Sequence, residues 1–522
     1  MIISSSMKKI ISRDDCLAVA RGVCLCDQGF QFQLCLDEKC RDNAKIVVES
    51  DLSDVISVYR VMDVKGTNNN PMTCKTDDYY IHSENEYFPD LLRRVDALTT
   101  ADGEKCVLLV DVASEPKPCG IHNVKVSVGD ESACFELEVK SQRLADTDLI
   151  LTNWFHIDGI CNYYGVKPFS EEFYERFEWF LKAYVEMGNN MILVPAFTAP
   201  LDTEVGRERL TTQLVSIVLE DGKYTFDFAE MRRFIRLCRS YGIKYLEHSH
   251  LFTQWGGECC PKIMVRDGDE EINAFGWAVR STDERYLDFL SQYLKQLQEF
   301  LKDEGVFEDC YLHLTDEPYR DHIPRYKTLS EFVKSVCDLK TIDALSEKAL
   351  SEAVNMPAVA IYSEELPLFD DNKMLYYCVG VDTNYITNRY LNMPLQRTEI
   401  IGFQLYANRA KGFLHWGYNF YNTQLSKAPT DPYSDTMSGG GFPAGDSFIV
   451  YPGECETEKS IRYYSMKRAF EDYRLLKTLE ARIGKSAVMQ MLSDEGVCGV
   501  HDYPRSVEWH EEFRQKIISM LA

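Results

Sequence analysis

Residues 311–318 have the sequence Tyr-Leu-His-Leu-Thr-Asp-Glu-Pro, and this stretch decides the fold that we predict. It is short and apolar at first, as a strand buried on both faces would be. It ends in Asp316 and Glu317 and then in Pro318, which cannot donate a hydrogen bond to a sheet, so the strand must end here. In a parallel α/β barrel the carboxyl ends of the strands form the active-site face. Two acids at this position therefore predict a catalytic site.

The two neighbouring carboxylates also predict a particular chemistry. Asp316 and Glu317 are forced close together, and their mutual repulsion and partial desolvation would raise the pKa of one of them. Such a group is a usable proton donor near neutral pH. The alternative is a solvated pair of loop acids beside a proline, and the spacing alone is compatible with both interpretations.

Strand and helix patterns alternate on both sides of this stretch. A helix is predicted over residues 284–304, where apolar residues recur at helical spacing and Gly305 follows as the end. From residue 146 about eight strand patterns alternate with helices, which is typical of a (β/α)8 barrel of the TIM type. An open doubly wound sheet is the alternative, and the lack of a glycine-rich turn after the first strand disfavours it. The predicted strands cover residues 149–156, 191–194, 244–249, 310–315, 358–362, 374–379, 389–391 and 412–416.

Residues 1–145 show a different pattern, in which short strands alternate with turn-forming residues. In the first of these strands Phe30, Phe32 and Leu34 share one face, which is the two-residue period of a strand. Several such strands predict an antiparallel β-sandwich. We expect this domain to support the barrel, with carbohydrate binding as the alternative. The predicted strands cover residues 30–36, 44–49, 55–63, 106–113, 124–128 and 133–139.

The length of 522 residues exceeds one ordinary domain, and we predict three parts. We expect a β-sandwich domain over residues 1–145, a (β/α)8 catalytic barrel over residues 146–482 and a helical tail over residues 483–522. Residues 423–451 are rich in Pro, Gly, Ser and Asp, and we expect them to form a long loop over the mouth of the barrel.

Composition indicates which kinds of partner the protein can bind and in which cellular compartment we expect it. A net charge of −25 disfavours nucleic acid or an anionic membrane surface as a partner. Residues 1–15 contain no secretory signal, and no run approaches the ~20 apolar residues of a membrane helix, so we expect a cytoplasmic protein. The 18 cysteines are scattered and their close pairs lack the spacing of a zinc site. We expect reduced core cysteines and no metal.

Residues 313–318, His-Leu-Thr-Asp-Glu-Pro, resemble the His-x-Ser/Thr-Asp-Glu-Pro motif of the β-N-acetylgalactosaminidase family of glycoside hydrolases, family 123, and of a wider group around it. Residues 412–419 resemble the Gly-Phe-Leu-x-Trp segment of that group, and residues 88–92 resemble the motif of its N-terminal domain. The order and spacing match over roughly residues 145–480, which include the similar segments 451–453, 460–462 and 471–473.

The resemblance implies a retaining exo-glycoside hydrolase that removes a terminal β-linked N-acetylgalactosamine, or a related 2-acetamido sugar, from an oligosaccharide or glycoconjugate. Glu317 would protonate the leaving-group oxygen and then activate water, and Asp316 would orient the acetamido group. The carbonyl oxygen of that group would attack the anomeric carbon, as in the substrate-assisted exceptions to the rule of two opposed carboxylates. The resemblance implies no metal and no other cofactor.

Aromatic and polar side chains at the predicted strand ends suit a neutral sugar, because rings stack on apolar sugar faces while hydroxyl groups need acceptors. The family often carries a tryptophan near the sixth strand, whereas residues 375–380 contain none, which leaves the identity of the sugar open. The expected substrate-binding residues are Trp416, Asn419 and Tyr421 from the resemblance, and His250, Trp255 and Tyr376 from position alone.

Two other functions are compatible with the same residues. In the first, Glu317 remains the acid and Glu364 or Glu247 acts as a protein nucleophile on a sugar without an acetamido group. In the second, the chain is a non-catalytic carbohydrate-binding protein.

Overall fold

The N-terminal part of the chain consists of short strands. The computed structural model describes residues 1–36, 43–71, 76–99, 105–377 and 385–521. The strands before residue 145 are β1 (Ile2–Ser5), β2 (Arg21–Leu25), β3 (Phe30–Cys35), β4 (Ala44–Glu49), β5 (Ile56–Lys65), β6 (Tyr87–Arg94), β7 (Ala97–Leu98), β8 (Val107–Val112), β9 (Gly120–Val128) and β10 (Glu131–Lys140).

The strands of the second half are β11 (Ile150–Asn153), β12 (Met191–Val194), β13 (Ser216–Glu220), β14 (Lys223–Asp227), β15 (Tyr245–His248), β16 (Ile263–Asp267), β17 (Glu270–Phe275), β18 (Cys310–His313), β19 (Lys340–Leu345), β20 (Met356–Ala360), β21 (Met374–Tyr377), β22 (Gly412–His415), β23 (Val450–Pro452) and β24 (Thr457–Ser460).

In the described part of the chain the α-helices lie after residue 156. They are α1 (Ile157–Tyr164), α2 (Glu171–Glu186), α3 (Ala229–Ser240), α4 (Gln254–Gly257), α5 (Glu284–Asp303), α6 (Ile323–Val336), α7 (Leu395–Glu399), α8 (Ile401–Ala407), α9 (Ile461–Ile483), α10 (Lys485–Asp494) and α11 (Val507–Leu521). Within the described ranges, none of them combines the length and the apolar composition that crossing a bilayer requires.

The N-terminal strands, joined by β23 and β24 from the second half of the chain, form two mainly antiparallel sheets that pack face to face. One sheet has the order β1-β3-β8-β5-β6-β24-β23 and the other β2-β10-β9-β4-β7. Between them lies an apolar core in which Phe32 and Phe135 stack with ring centroids 4.4 Å apart. Along β9, Val124, Val126 and Val128 are buried and alternate with more exposed residues. The predicted β-sandwich is confirmed.

Eight parallel strands form the barrel, in the order β11-β22-β21-β20-β19-β18-β15-β12. Strands that are adjacent in this sheet are therefore consecutive barrel strands along the chain, as in a TIM barrel. Asn190, directly before β12, contacts the first strand: its amide donates to the Leu151 carbonyl (3.1 Å), and its Oδ1 accepts from the Leu151 amide (2.9 Å). The predicted TIM-like barrel is confirmed, and so is the helix before its fourth strand.

Two details of the predicted barrel are wrong. The fifth strand is β19, which the sequence pattern missed because Asp343 interrupts its apolar run. Residues 389–391, predicted as a strand, form none; instead the buried guanidinium of Arg389 donates to Asn153 Oδ1 (2.6 Å) and His415 Nδ1 (2.8 Å). Of the predicted sixth strand, residues 374–377 form β21, and residues 378 and 379 lie outside the described part of the chain.

A four-stranded sheet, of order β14-β13-β16-β17, lies beside the barrel and was not expected. Its strands come from the two connections that follow β12 and β15. Helix α3 therefore begins at Ala229, because the residues before it pair with β13.

A buried ion pair joins the sandwich to the last long helix. On α9, Arg462 donates from Nε and Nη2 to the two oxygens of Asp90 on β6, at 2.7 and 2.9 Å. The Tyr451 hydroxyl donates to the same carboxylate (2.7 Å), and Arg462 Nη1 donates to the carbonyls of Arg389 and Phe448 (3.1 Å each). One guanidinium therefore ties β6, α9 and the segment before β23 together.

Replacing Asp90 by alanine tests this connection. The change leaves the fully buried Arg462 charge without its partner, and we expect the free energy of unfolding to fall by about 3–5 kcal/mol. Urea titration followed by circular dichroism measures it. The control is Arg93→Ala on the same strand, whose ion pair with Glu458 is half-exposed and should contribute less than about 1 kcal/mol. Equal losses in the two variants would contradict the assignment.

Candidate active site

A cavity of about 200 Å³ opens at the carboxyl ends of the barrel strands. Its floor and walls come from residues at or just beyond β11, β18, β19, β21 and β22, and from the loops after β12, β15 and β22. The side chains that line it are those of Trp154, Leu201, Asp202, Gln254, Trp255, Asp316, Glu317, Ala344, Tyr376, Tyr377, Leu414, Trp416, Gln424, Leu425 and Phe442. The two predicted acids therefore share one cavity with an aromatic wall.

Backbone hydrogen bonds hold the acid pair at the cavity floor. Glu317 has a left-handed backbone (φ 45°), a conformation that costs a non-glycine residue about 1–3 kcal/mol. Its amide donates to the Ala344 carbonyl (3.0 Å), and the Asp316 carbonyl accepts from the Trp255 amide (2.7 Å). The Tyr376 hydroxyl donates to Glu317 Oε1 (3.2 Å). Three neighbouring loops and strands thus fix the turn that carries both carboxyl groups.

Beneath the acids lies a charged cluster that the sequence did not predict. His313 is fully buried, with Nδ1 2.7 Å from Glu247 Oε1 and Nε2 3.2 Å from Asp343 Oδ1. The same Glu247 oxygen accepts from Trp154 Nε1 (2.9 Å). The other oxygen of Asp343 accepts from both the amide and the hydroxyl of Thr315 (2.9 Å each). The cluster therefore holds the strand end that precedes the acid pair and one of the cavity tryptophans.

The charges around Asp316 oppose one another. Burial and the neighbouring Glu317 carboxylate raise the pKa of Asp316 well above its usual range, and the carboxylates of Asp343 and Glu247 act in the same direction. The positive charge of His313 lowers it. Burial and the neighbouring carboxylates outweigh the histidine, so Asp316 holds its proton to a higher pH than an exposed aspartate does.

Three of the predicted substrate-binding residues line the cavity together. Trp255 and Tyr376 are joined there by Trp416, whose indole nitrogen donates to Asp446 Oδ2 (3.0 Å) behind the wall. The ring face of Trp416 is thus available while its polar edge is satisfied. Trp255 is 39% exposed at the rim, also with a left-handed backbone (φ 59°).

His250 lies below the surface of the cavity rather than in its wall. Its ring stacks on His313 with centroids 3.9 Å apart and packs edge-on against Trp154. The side chain is fully buried, and neither ring nitrogen has a hydrogen-bond partner among the described residues. Burial, with the charges of His313 and His248, lowers the pKa of His250 well below its usual value, so the ring is neutral.

Asn419 and Tyr421 do not line this cavity. Asn419 is fully buried: its Oδ1 accepts from the His156 amide (2.8 Å) and its Nδ2 donates to the His156 carbonyl (3.0 Å). The Tyr421 hydroxyl donates to the Val450 carbonyl (2.8 Å). Both side chains connect loop segments behind Trp416, because their polar atoms are committed to backbone partners. The contact of these two residues with a sugar, which the family resemblance implies, stays a prediction.

Several lining residues come from loops and were not predicted individually as site residues. Asp202 follows β12, and its Oδ2 accepts from the amide of Leu425 (2.8 Å); burial raises the pKa of Asp202 to about 6. Gln424, Leu425 and Phe442 belong to residues 423–451, the segment that we expected to form a loop over the barrel mouth. The composition of this segment was the one sequence feature that pointed to these side chains.

The rival nucleophiles do not line the cavity. Glu364 is exposed outside it, and Glu247 is fully buried, with one oxygen shared between Trp154 and His313. Among the described lining residues the carboxyl groups are those of Asp202, Asp316 and Glu317. The arrangement therefore offers an adjacent acid pair and one further carboxyl group on a different loop.

One group of side chains has the spacing of a metal site. His250, His313 and Asp316 each offer a ligand atom, and these atoms lie within 4.8 Å of one another. A metal ligand needs a free lone pair, whereas both ring nitrogens of His313 face carboxylate oxygens. This geometry favours a proton over a metal ion on His313.

Known proteins share the architecture of this chain. A family 123 glycoside hydrolase from Clostridium perfringens superposes with a TM-score of 0.71 at 15% identity, covering 100% of this chain and 96% of the other. The GH113 β-mannanase AaManA from Alicyclobacillus acidocaldarius superposes with a TM-score of 0.31 at 12% identity, covering 62% of this chain and 97% of the other. A GH10 xylanase from termite gut superposes with a TM-score of 0.33 at 9% identity, covering 88% of this chain and 100% of the other. Both are too dissimilar for their sites to be compared with this one. The comparison with curated proteins found no match.

The barrel and its acid pair match the model of a known enzyme family. The family model described as "Glycoside hydrolase 123, catalytic domain" matches residues 154–479, more than half of the chain. The matched segment contains every barrel strand after the first, together with both acids. The chain therefore belongs to glycoside hydrolase family 123 and is a glycoside hydrolase.

Proposed function

We propose that this glycoside hydrolase is a retaining exo-enzyme that removes a terminal β-linked N-acetylgalactosamine, or a related 2-acetamido sugar, by substrate-assisted catalysis. The observation that carries the proposal is the adjacent pair of carboxyl groups, Asp316 and Glu317, in one cavity with aromatic walls. The cavity is lined mainly by aromatic and apolar side chains with a few polar groups, as sites for small ligands are.

In this mechanism Glu317 donates its proton to the glycosidic oxygen as the bond from that oxygen to the anomeric carbon breaks. The acetamido carbonyl oxygen forms the new bond to the anomeric carbon, so the intermediate is a bicyclic oxazolinium ion. The carboxylate of Asp316 accepts the amide hydrogen and offsets the developing positive charge. Glu317 then takes a proton from water, and the water oxygen attacks the anomeric carbon as the bond from that carbon to the acetamido oxygen breaks. The acetamido group is regenerated and the β configuration is restored.

The placement of the carboxyl groups favours this route over a protein nucleophile. Retaining enzymes with a protein nucleophile hold two carboxyl groups about 5 Å apart on opposite sides of the sugar. Asp316 and Glu317 come from one turn, and the third carboxyl group of the cavity, Asp202, is engaged by the amide of Leu425. The substrate's own amide fills the missing role of nucleophile.

The aromatic wall supports a sugar substrate, because Trp154, Trp416 and Tyr376 present rings on which apolar sugar faces stack. The structure of the Clostridium perfringens relative is described as giving the details of glycolipid glycan hydrolysis. We therefore include glycolipid glycans among the glycoconjugates to be tested, beside free oligosaccharides.

Leaving-group dependence distinguishes the roles of the two acids. With a 4-nitrophenyl leaving group no proton need be donated, so we expect Glu317→Gln to lose less than about tenfold in kcat/KM. Asp316→Asn should lose about 100-fold or more on the same substrate, because it weakens stabilisation of the cyclising amide. Equal losses on the activated substrate would argue against these roles. Circular dichroism of both variants checks that the fold is intact.

A mechanism-based inhibitor tests the nucleophile. A thiazoline analogue of the bicyclic intermediate should bind at least about 100-fold more tightly than the substrate, as mimics of high-energy states do. A 2-fluoro sugar, which traps protein nucleophiles, should leave the enzyme unlabelled. Labelling of Asp202, detected by mass spectrometry of peptides, would contradict the proposal and support a protein nucleophile.

Tyr376 provides a further test, because its hydroxyl donates to Glu317 and fixes the direction of the acid. We expect Tyr376→Phe to lower kcat about tenfold on an oligosaccharide and less on a 4-nitrophenyl glycoside, where the acid is not needed. Tyr319→Phe, two residues after Glu317 and half-exposed, is the matched control and should keep the rate on both substrates. Equal loss on both substrates for Tyr376→Phe would contradict a role through the acid.

A further inference from the structure

The charged cluster beneath the acid pair determines the protonation of His313. Both of its ring nitrogens face carboxylate oxygens, those of Glu247 at 2.7 Å and of Asp343 at 3.2 Å. A carboxylate only accepts hydrogen bonds, so Nδ1, which is hydrogen-bonded to Glu247 Oε1, carries a hydrogen. Nε2 lies within ion-pair distance of Asp343 Oδ1 without the geometry of a hydrogen bond. All three side chains are fully buried. Two carboxyl groups at ion-pair distance on opposite sides of the buried ring favour its positively charged form.

The electrostatics of the cluster agree with this geometry. Burial disfavours a charged ring, but hydrogen bonding and the charges of Asp343 and Glu247 outweigh it and raise the pKa of His313 to about 10. The positive charge is thus present throughout the neutral range. The hydroxyls of Tyr326 and Thr315 donate to Asp343 Oδ2 (3.0 and 2.9 Å), which holds that side chain in place beside the ring.

This positive charge lies directly beside the acid pair. One atom each of His313, His250 and Asp316 fall within 4.8 Å of one another. The titratable groups that act on Asp316 are Glu317, His313, Asp343 and Glu247, and of these His313 is the one cation. The neighbouring His250 is neutral, so it does not supply a second positive charge.

We propose that His313, held between Glu247 and Asp343, supplies the fixed positive charge that opposes protonation of the Asp316 carboxyl group while the substrate amide cyclises. His313 acts through Asp316 and is a positioning residue. The inference rests on the proposed function, since it assumes that Asp316 works as a carboxylate. It assigns a role in the reaction to a buried ion cluster that would otherwise only stabilise the barrel.

The pH dependence of kcat/KM measures this role. His313→Gln removes the cation and leaves both carboxylates, so Asp316 holds its proton to higher pH. The acid limb of the profile should move up by about one pH unit or more. His313→Gln combined with Glu247→Gln restores the original net charge of the cluster, and the limb should return toward the wild-type position. A purely structural role would lower the rate at all pH values and leave the limb in place.

His250→Gln is the matched control, because it removes the neighbouring buried ring without changing the charge. Its acid limb should stay where the wild-type limb lies, whatever the rate. A shift equal to that of His313→Gln would overturn the proposal, since burial rather than charge would then set the titration of Asp316.

A direct measurement on the wild-type enzyme avoids dependence on the folding of the variants. In protein with 15N-labelled histidine, His313 should show two protonated ring nitrogens from about pH 6 to about pH 9, while a free histidine loses its charge near pH 6.5. The ring-nitrogen signals that disappear from the spectrum of His313→Gln are those of His313. A neutral ring in this range, or a stoichiometric metal ion found by elemental analysis, would overturn the proposal.

The experiments distinguish a wrong role for His313 from a wrong proposed function. If the enzyme hydrolyses 2-acetamido glycosides but His313 is neutral, or the acid limb does not move, only the inference is wrong. If it hydrolyses no 2-acetamido glycoside, the proposed function fails, and the nitrogen spectrum still decides whether His313 is charged.

Discussion

The ion cluster of Glu247, His313 and Asp343 is the constraint on which the catalytic end of the barrel depends. Isolated charges in a protein interior are strongly unfavourable, and they persist only when paired and hydrogen-bonded. Here the pairing connects β15, β18 and β19, and Asp343 also binds the amide and hydroxyl of Thr315. The residue after Thr315 is the first of the two acids, so the cluster fixes where the acid pair begins.

The acid pair itself sits in strained backbone that its surroundings over-determine. Both Glu317 and Trp255 have left-handed conformations, which bulky residues rarely adopt. The Glu317 amide donates to the Ala344 carbonyl, and the Trp255 amide donates to the Asp316 carbonyl. Strain that persists at a ligand cavity is consistent with preorganisation, because groups already held in position need not be ordered during the reaction.

The N-terminal sandwich contributes to the site from a distance. The buried pair of Asp90 and Arg462 links β6 to α9, and Arg462 also donates to the carbonyl of Phe448 in the segment before β23. In that segment Asp446 accepts from the indole nitrogen of Trp416, and so the wall of the cavity is connected to the sandwich through a short chain of contacts. A predicted role in supporting the barrel agrees with this arrangement.

The sequence by itself determined the alternation of strands and helices, the sandwich and the adjacency of Asp316 and Glu317, because hydrophobic period and covalent neighbourhood are local properties. The tertiary structure alone decided that residues 340–345 form a strand, since the buried Asp343 side chain needs the partners Thr315, Tyr326 and His313 from other segments. It likewise brought Asp202 and Leu425 from distant loops to one cavity and committed Asn419 to the backbone behind it. Contacts between distant segments depend on how the loops pack, which no local pattern encodes.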